Sequence, residues 1–328
     1  MLIYDKILAK KSKAFRQWMK SFDLSYGVQA GEELKAVENF PKHIQHLVKL
    51  CENTSSRRLT LVVAGGGSVG DFGGFVASIL KRGVGLVHVP STWLAAIDSA
   101  HGGKTALNVA GSKNQIGTFY PAKQTVLVKD LLLAQPEERS FEAFSELIKI
   151  ALLEGGEFWR KLRAEKEVTS EMVWRYLPQA IAGKMRIVNK DPQEKSGHRH
   201  LLNFGHTVGH VFEAYYELPH GIAINYGLDF ALKWSARQGI LSAKAEEEIR
   251  TAPVSAYLLS AERDELLSAR ESVLKKWNQL LLQDKKKNSS RRLRFIFMKK
   301  VGQPVIKEVS VDEILMELCR QKEDELHD

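Results

Sequence analysis

The sequence predicts two dissimilar halves: an α/β domain with a parallel sheet over residues 1–135, then a mostly helical domain over residues 136–328. Three observations predict this. The first half alternates strand and helix patterns, as a parallel sheet with crossover helices requires. The run Leu59-Thr60-Leu61-Val62-Val63-Ala64 is almost continuously apolar, the mark of a strand buried on both faces. Beyond residue 135 strand patterns vanish, and apolar residues recur at helical spacing through residue 280.

Length and composition agree with two soluble domains. A chain of 328 residues exceeds one typical core, and 44% hydrophobic with 27% charged residues is a globular balance. No apolar run reaches the roughly 18–20 residues of a membrane span, and the early charges at the N-terminus do not form a signal peptide. Cys51 and Cys319 lie far apart without metal-ligand spacing, which fits a reducing, cytoplasmic setting. The net charge of +9 points to an anionic partner. The dense basic run, Lys285 to Lys287 with Arg291, Arg292 and Arg294, accompanies no nucleic-acid motif. The expected partner is therefore a small phosphorylated substrate, with no nucleic acid and no membrane.

The elements follow in order. Leu2-Ile3-Tyr4-Asp5 reads as a short strand ending in an acid, residues 8–22 as a helix, residues 24–28 as a second strand and residues 34–51 as a helix. The strand at 59–64 runs into Gly65-Gly66-Gly67-Ser68-Val69-Gly70-Asp71 and a helix from Phe72 to Leu80. Strand, glycine turn and helix form the layout in which backbone N–H groups cradle a phosphate. The turn departs from G-x-G-x-x-G, and a tight turn using glycine for positive φ is the competing reading. The layout favours a Rossmann-like nucleotide-binding domain. Strands at 84–89 and 125–128 bracket glycine-rich loops carrying Asp98, Lys104, Lys113 and Asn114. Gly102-Gly103-Lys104-Thr105 fails as a Walker A motif, because Ser99 stands where its first glycine belongs.

In the second half, a helix over 141–153 carries Glu146 and Lys149 three apart on one face. Such a pair is usually surface decoration, but the apolar Leu147, Ile148, Ile150 and Leu152 crowd the same turns. Helices are expected at 170–189, 201–217, 221–238, 243–251, 254–261 and 263–283. Strands at 294–298 and 305–309 pair as a hairpin, and a helix over 311–325 closes the chain. His206 and His210, four apart, share a helix face, and His220 follows after Pro219. Two core histidines and a loop histidine are the competing reading. The third histidine and an upstream carboxylate favour an open metal site of about three protein ligands.

These pieces, with Lys81-Arg82-Gly83, Pro90-Ser91-Thr92, Asp98 to Thr105, Lys113 to Gly117, Glu146 to Lys149, Leu202 to His210 and Pro219-His220-Gly221, occur in one order over residues 30–230. In that order and spacing they resemble the 3-dehydroquinate synthases of the sugar phosphate cyclase superfamily. Ile7, Ala134 and His101 depart from the family pattern.

The resemblance implies a dehydroquinate synthase-like fold. It implies a divalent metal, zinc or cobalt, held by Glu146, His206 and His220. It implies NAD, with Gly66, Gly67, Ser68, Gly70 and Asp71 at the pyrophosphate and Asp5, Glu32, Lys35, Ser91, Thr92, Asp98, Lys104 and Lys113 helping to hold the cofactor. Lys104, Asn114, His210 and Arg82 from the second subunit of a homodimer are implied around a substrate phosphate. Lys149, Lys184, Arg199, Asn203 and Lys285 are implied at its carboxylate and hydroxyls. The implied reaction turns 3-deoxy-D-arabino-heptulosonate 7-phosphate into 3-dehydroquinate and phosphate, by transient oxidation, phosphate elimination, re-reduction and an intramolecular aldol. Alternatives are a cyclase acting on another sugar phosphate, a metal-dependent polyol dehydrogenase and a basic nucleic-acid-binding protein.

Overall fold

The computed structural model describes residues 1–258, 271–283 and 292–325. The chain divides into two compact units, Met1–Arg139 and Ser140–Asp328.

In the first unit, β1 (Leu2–Asp5), β2 (Ser25–Val28), β3 (Thr60–Gly65), β4 (Gly85–Pro90) and a two-residue strand Gln124–Thr125 form one all-parallel sheet. The order is β2-β1-β3-β4, with Gln124–Thr125 beyond β4. Side chains alternate across the strands, and both faces are covered. Ile3, Leu61, Val63 and Leu86 join one core with Phe72 and Val76 of the helix Gly67–Ile79. Leu2, Ala64 and Val89 join another with Leu8 and Phe15. Two buried faces explain why the 59–64 segment lacks a polar alternation. The chain steps from β1 outward to β2 and then returns to the other side of β1 as β3. At that reversal the connections after β1 and β3 diverge, which leaves a crevice beyond their carboxyl ends. Asp5 ends β1 and Gly65 ends β3.

Several expected elements differ. The helix expected over 8–22 is two helices, Lys6–Lys11 and Lys13–Met19, because extended Ser12 intervenes and its hydroxyl accepts from Phe15 N at 3.1 Å. The helix expected over 34–51 is Glu32–Lys35 and Phe40–Leu50, with Ala36 extended and bridged to Asn108. The helix expected from Phe72 starts five residues earlier, at Gly67. The segment read as glycine-rich loops forms an antiparallel hairpin of β5 (Lys104–Val109) and β6 (Ser112–Phe119). Ala110 (φ 48°) and Gly111 (φ 75°) make its turn. Two positive φ angles suit a hairpin turn, but Ala-Gly lacks the usual Asn-Gly signal.

The second unit is helix-rich. Its helices include Glu138–Glu154, which begins just before the unit boundary, and Ser170–Lys190, His206–Tyr216, His220–Arg237 and Val311–Glu325. The hairpin β7 (Arg292–Lys300) and β8 (Gln303–Ser310) lies where the sequence predicts it. Its Phe295 and Phe297 pack edge-on against Trp234, at ring separations of 4.8 and 5.0 Å. The expected segment 201–217 divides into a 3-10 turn, His198–Asn203, and the helix from His206, because Gly205 adopts φ 78°. The expected helix 254–261 is a 3-10 turn over Pro253–Tyr257, and 259–270 lies outside the described residues, as does Lys285. Among the described residues no helix is long and apolar enough to cross a membrane.

Candidate metal centre and nucleotide-binding turn

Three helices of the second unit are drawn together by glycine. A Cβ on Gly221 would sit inside the backbone of Glu142, and one on Gly227 would overlap the carbonyl of Gly205. A Cβ on Gly209 would lie 3.0 Å from the Ala223 carbonyl oxygen. The helix from His220 therefore lies backbone to backbone against both the helix from His206 and the helix Glu138–Glu154. Glu146 is one turn beyond Glu142, and His220 precedes Gly221, so this contact sets the carboxylate beside the imidazole.

The result is a convergence of ligand atoms. His206 Nε2 lies 3.3 Å and His220 Nε2 3.6 Å from Glu146 Oε1. All three groups present their ligand atoms within 4.8 Å of one another. Each imidazole is held from behind: His206 Nδ1 faces the Phe204 carbonyl at 3.1 Å, and His220 Nδ1 faces Glu213 Oε2 at 2.8 Å. Nδ1 engaged with an acceptor leaves Nε2 as the lone-pair nitrogen, the arrangement of a metal-ligating histidine. Glu213 carries no role in the sequence reading. Its signal was its position, on the helix that carries both histidines and seven residues before His220.

Glu146 is 2% exposed and Lys149 1%, so this pair is fully buried and not surface decoration. The Lys149 ammonium is in ion-pair contact with Glu146 Oε2. Neither Glu146 oxygen, however, has a well-aligned hydrogen bond. A buried carboxylate with two such oxygens, facing the Nε2 atoms of two imidazoles, fits a divalent cation. Burial would raise the Glu146 pKa, but the Lys149 charge and the two imidazoles hold it well below the usual carboxylate range. Burial and the Lys149 charge lower His206, which keeps it in the neutral, ligating form. Burial also opposes charge on His220, but the Glu146 and Glu213 carboxylates outweigh it and push the group up to about 10, so a cation bound here takes the place of the Nε2 proton.

Lys184 (3% exposed) and Arg199 (5%) are further buried cations of this unit. Gly183, beside Lys184, packs its helix onto Ile150 and Glu154. Arg199 and Asn203 lie on the 3-10 turn that packs against the helix bearing Lys184. Asp191, which the sequence reading passed over, holds the preceding loop. Its carboxylate accepts from the backbone N–H of Lys195 at 2.7 Å, Ser196 at 3.1 Å and Arg199 at 3.2 Å. Burial would raise its pKa, but these backbone donors outweigh that and bring it to about 2. Asn203 Nδ2 lies 3.2 Å from His200 Nδ1, and His210 is exposed one turn beyond His206.

In the first unit the glycine turn is the first turn of the helix Gly67–Ile79. None of Gly65, Gly66 and Gly67 has a positive φ. Gly65 and Gly66 answer to close approach: a Cβ on Gly65 would lie 2.6 Å from Val69 Cβ, and one on Gly66 3.0 Å from Thr92 Cγ2. Around the turn runs a polar chain. Lys35 Nζ donates to Asp71 Oδ2 at 2.7 Å and to Asn114 Oδ1 at 2.6 Å. Asn108 donates to Glu32 at 2.7 Å and accepts from Asn114 N at 2.9 Å, and the Gly31 N–H donates to Ser68 Oγ at 3.1 Å. Burial raises Asp71 above its ordinary value, with Lys35 opposing. Glu32, Lys35, Asp71 and Asn114 are thus one cluster joined by Asn108, with Ser68 tied to it through Gly31; sequence reasoning missed Asn108 because its stretch reads as a glycine-rich loop and nothing local names its partners. Ser91 is buried and bonded through its N–H to Gly65 O at 2.9 Å, and Thr92 caps the helix Trp93–Ile97. Asp98 ends that short helix. The Asp5 carboxylate caps its own following helix at Ile7 N, 3.1 Å away. Lys104 and Lys113 are exposed on the hairpin, and Arg82 is exposed on a loop where Lys81, Arg82 and Gly83 all have positive φ (49°, 67° and 109°).

An α/β unit with a glycine turn at its strand-order reversal, and a helical unit with a buried carboxylate–imidazole centre, define a metal- and nucleotide-dependent class of enzyme. Residues 25–143 match the N-terminal family model of 3-dehydroquinate synthase, and residues 143–287 match its C-terminal model. The chain belongs to the 3-dehydroquinate synthase family. A 3-dehydroquinate synthase of Lactiplantibacillus plantarum is 35% identical over 297 residues, covering 88% of this chain and 78% of the relative. Among solved structures, a 2-deoxy-scyllo-inosose synthase complexed with carbaglucose-6-phosphate, NAD+ and Co2+ has a TM-score of 0.79 at 22% identity, covering 97% of this chain and 89% of that one. The 2-epi-5-epi-valiolone synthase of Streptomyces hygroscopicus, with NAD+ and Zn2+ bound, has a TM-score of 0.79 at 20% identity, covering 98% and 90%. At those identities the likeness is one of fold.

Proposed function

We propose that this chain is a 3-dehydroquinate synthase, converting 3-deoxy-D-arabino-heptulosonate 7-phosphate to 3-dehydroquinate and phosphate in the cytoplasm. The observation that carries the reading is the convergence of Glu146, His206 and His220 beside Lys149, within a chain that matches both halves of the family. Glu146, His206 and His220 would hold zinc or cobalt, and the glycine turn with Glu32, Lys35, Ser68, Asp71, Ser91 and Thr92 would hold NAD; Asp5, Asp98 and Lys113 complete the cofactor set. When bound, the metal supplies Lewis-acid polarisation of a substrate oxygen, and NAD supplies a hydride acceptor that is restored by the end of the cycle.

The chain's own residues do the rest. Lys149, ion-paired with Glu146, presents its side-chain nitrogen beside the metal centre, where a substrate hydroxyl would be ionised. On the family resemblance, Lys184, Arg199 and Asn203 bind the substrate carboxylate and hydroxyls. On the family resemblance, Lys104 and Asn114 of the one unit and His210 of the other are assigned to the substrate phosphate, where they would stabilise the charge that grows on it as it leaves. Arg82 does so from a second copy in a homodimer. Its exposure, on a loop held in left-handed backbone, supports a residue directed away from its own core.

The test is phosphate release by the purified protein supplied with zinc or cobalt and NAD. Release from the heptulosonate phosphate without accumulating NADH is expected. Release only from glucose 6-phosphate or sedoheptulose 7-phosphate would reassign the substrate, and net NADH would make the protein a dehydrogenase.

A further inference from the structure

His206 and His220 are held by unlike partners. The Nδ1 of His206 faces a backbone carbonyl, that of Phe204, and its side chain is only 13% exposed. Packing and main chain both hold that ring. The side chain of His220 is 31% exposed, and its Nδ1 partner is the Glu213 carboxylate at 2.8 Å. A neutral imidazole carries one N–H, and its position decides which nitrogen can donate a lone pair. A carboxylate is an acceptor only, so Glu213 demands the N–H at Nδ1 and leaves the lone pair on Nε2, the atom 3.6 Å from Glu146 Oε1. Glu213 itself stays on the far side of the ring from Glu146, on the helix that already supplies His206.

We propose that Glu213 is a positioning residue, which sets the tautomer and ring plane of His220 so that its Nε2 faces the metal. The inference rests on the metal centre described above. It makes the helix His206–Tyr216 supply both one ligand and the orienting partner of another. A different arrangement of the same atoms is a second ion held by His210, Glu213 and His220, whose ligand atoms also lie within 4.8 Å of one another. The engagement of His220 Nδ1 with Glu213 favours the orienting role, since holding both ions would use Nδ1 and Nε2 together and require the ring to give up its last N–H.

The experiment compares wild type, Glu213→Ala, Glu213→Gln and Glu146→Gln as purified metal-free chains. Zinc affinity and stoichiometry are read by chelator competition, the Co2+ site by its visible absorption, and folding by the thermal midpoint without metal. Wild type should bind one ion. Glu213→Ala should bind one ion roughly 10–100-fold more weakly, the usual cost of losing an outer partner, with a shifted Co2+ spectrum and an unshifted midpoint. Glu213→Gln keeps an acceptor oxygen within reach of Nδ1 and should recover part of the loss. Wild-type affinity and spectrum in Glu213→Ala would overturn the inference. So would two ions in wild type falling to one in Glu213→Ala, or a lowered metal-free midpoint with an unshifted spectrum. Unchanged affinity in Glu146→Gln would instead remove the metal centre, and this inference with it.

Discussion

In the first unit, the polar side chains clustered beside the glycine turn pair with one another. Lys35 meets Asp71 and Asn114, and Asn108 meets Glu32 and the Asn114 backbone. In the second unit, Glu146 is buried with two imidazole nitrogens and an ammonium beside it, yet neither oxygen has an aligned hydrogen bond. The first cluster is a self-completed scaffold on which a ligand can rest. The second is an arrangement of charge that a cation completes. A site that binds by shape and backbone can afford internal pairing, whereas a site that binds a metal must keep its lone pairs aimed at one point.

The sharpest way to break this comparison is Glu146→Gln. The amide removes the charge that draws the cation, so metal affinity should fall by more than the roughly 10–100-fold cost of an outer-shell loss. Metal content after gel filtration measures it, and an unchanged content would make the two clusters alike. Next in size is Gly221→Ala, whose methyl would enter the Glu142 backbone. The helices must part, at a cost of about 3 kcal/mol, the upper end for overpacking. Both the thermal midpoint and zinc uptake should drop together; a stable variant that binds zinc normally would show that glycine packing does not set the triad.

The first unit is probed by its own pairing. Asp71→Leu leaves Lys35, 5% exposed, without its carboxylate and should cost roughly 1.5–3 kcal/mol. Adding Lys35→Met should recover much of this if the cluster is self-completed. Denaturant unfolding of the single and double variants decides it, and equal stability of the two would argue against coupling.

The smallest effect concerns the loop ahead of Arg199. Asp191 has its pKa depressed to about 2 from an ordinary 3.8, so its stabilisation is complete above 3.8 and is lost as pH falls through about 2. Hydrogen exchange of Lys195, Ser196 and Arg199 amides should accelerate, relative to the chain's intrinsic acid dependence, across that window. Asp191→Asn should be looser at neutral pH and lack the window; identical acid profiles would show that the loop is held elsewhere.

Much of this was legible from residue order. The 59–64 run, the glycine turn and the two histidine spacings each carry a local signal, because strand burial, backbone approach and helix periodicity act over a few neighbours. The hairpin over 104–119 was not legible. Its turn is Ala110-Gly111, and its pairing is favoured by partners that no local pattern names. The break at Ala36 is similar, since Asn108, a distant residue, supplies the bridge.

The sequence by itself determined that one half is a parallel sheet with a glycine turn and the other a set of helices offering a carboxylate and three histidines. Only the tertiary structure decided that Glu213 stands behind His220, that Asn108 ties Glu32 to Asn114, and that Asp191 gathers the loop before Arg199. The physical reason is reach. Periodicity reports which face of an element is buried, but which side chain meets which across two elements depends on how closely their backbones approach, and here that distance is set by glycines whose missing Cβ has meaning only against a neighbour.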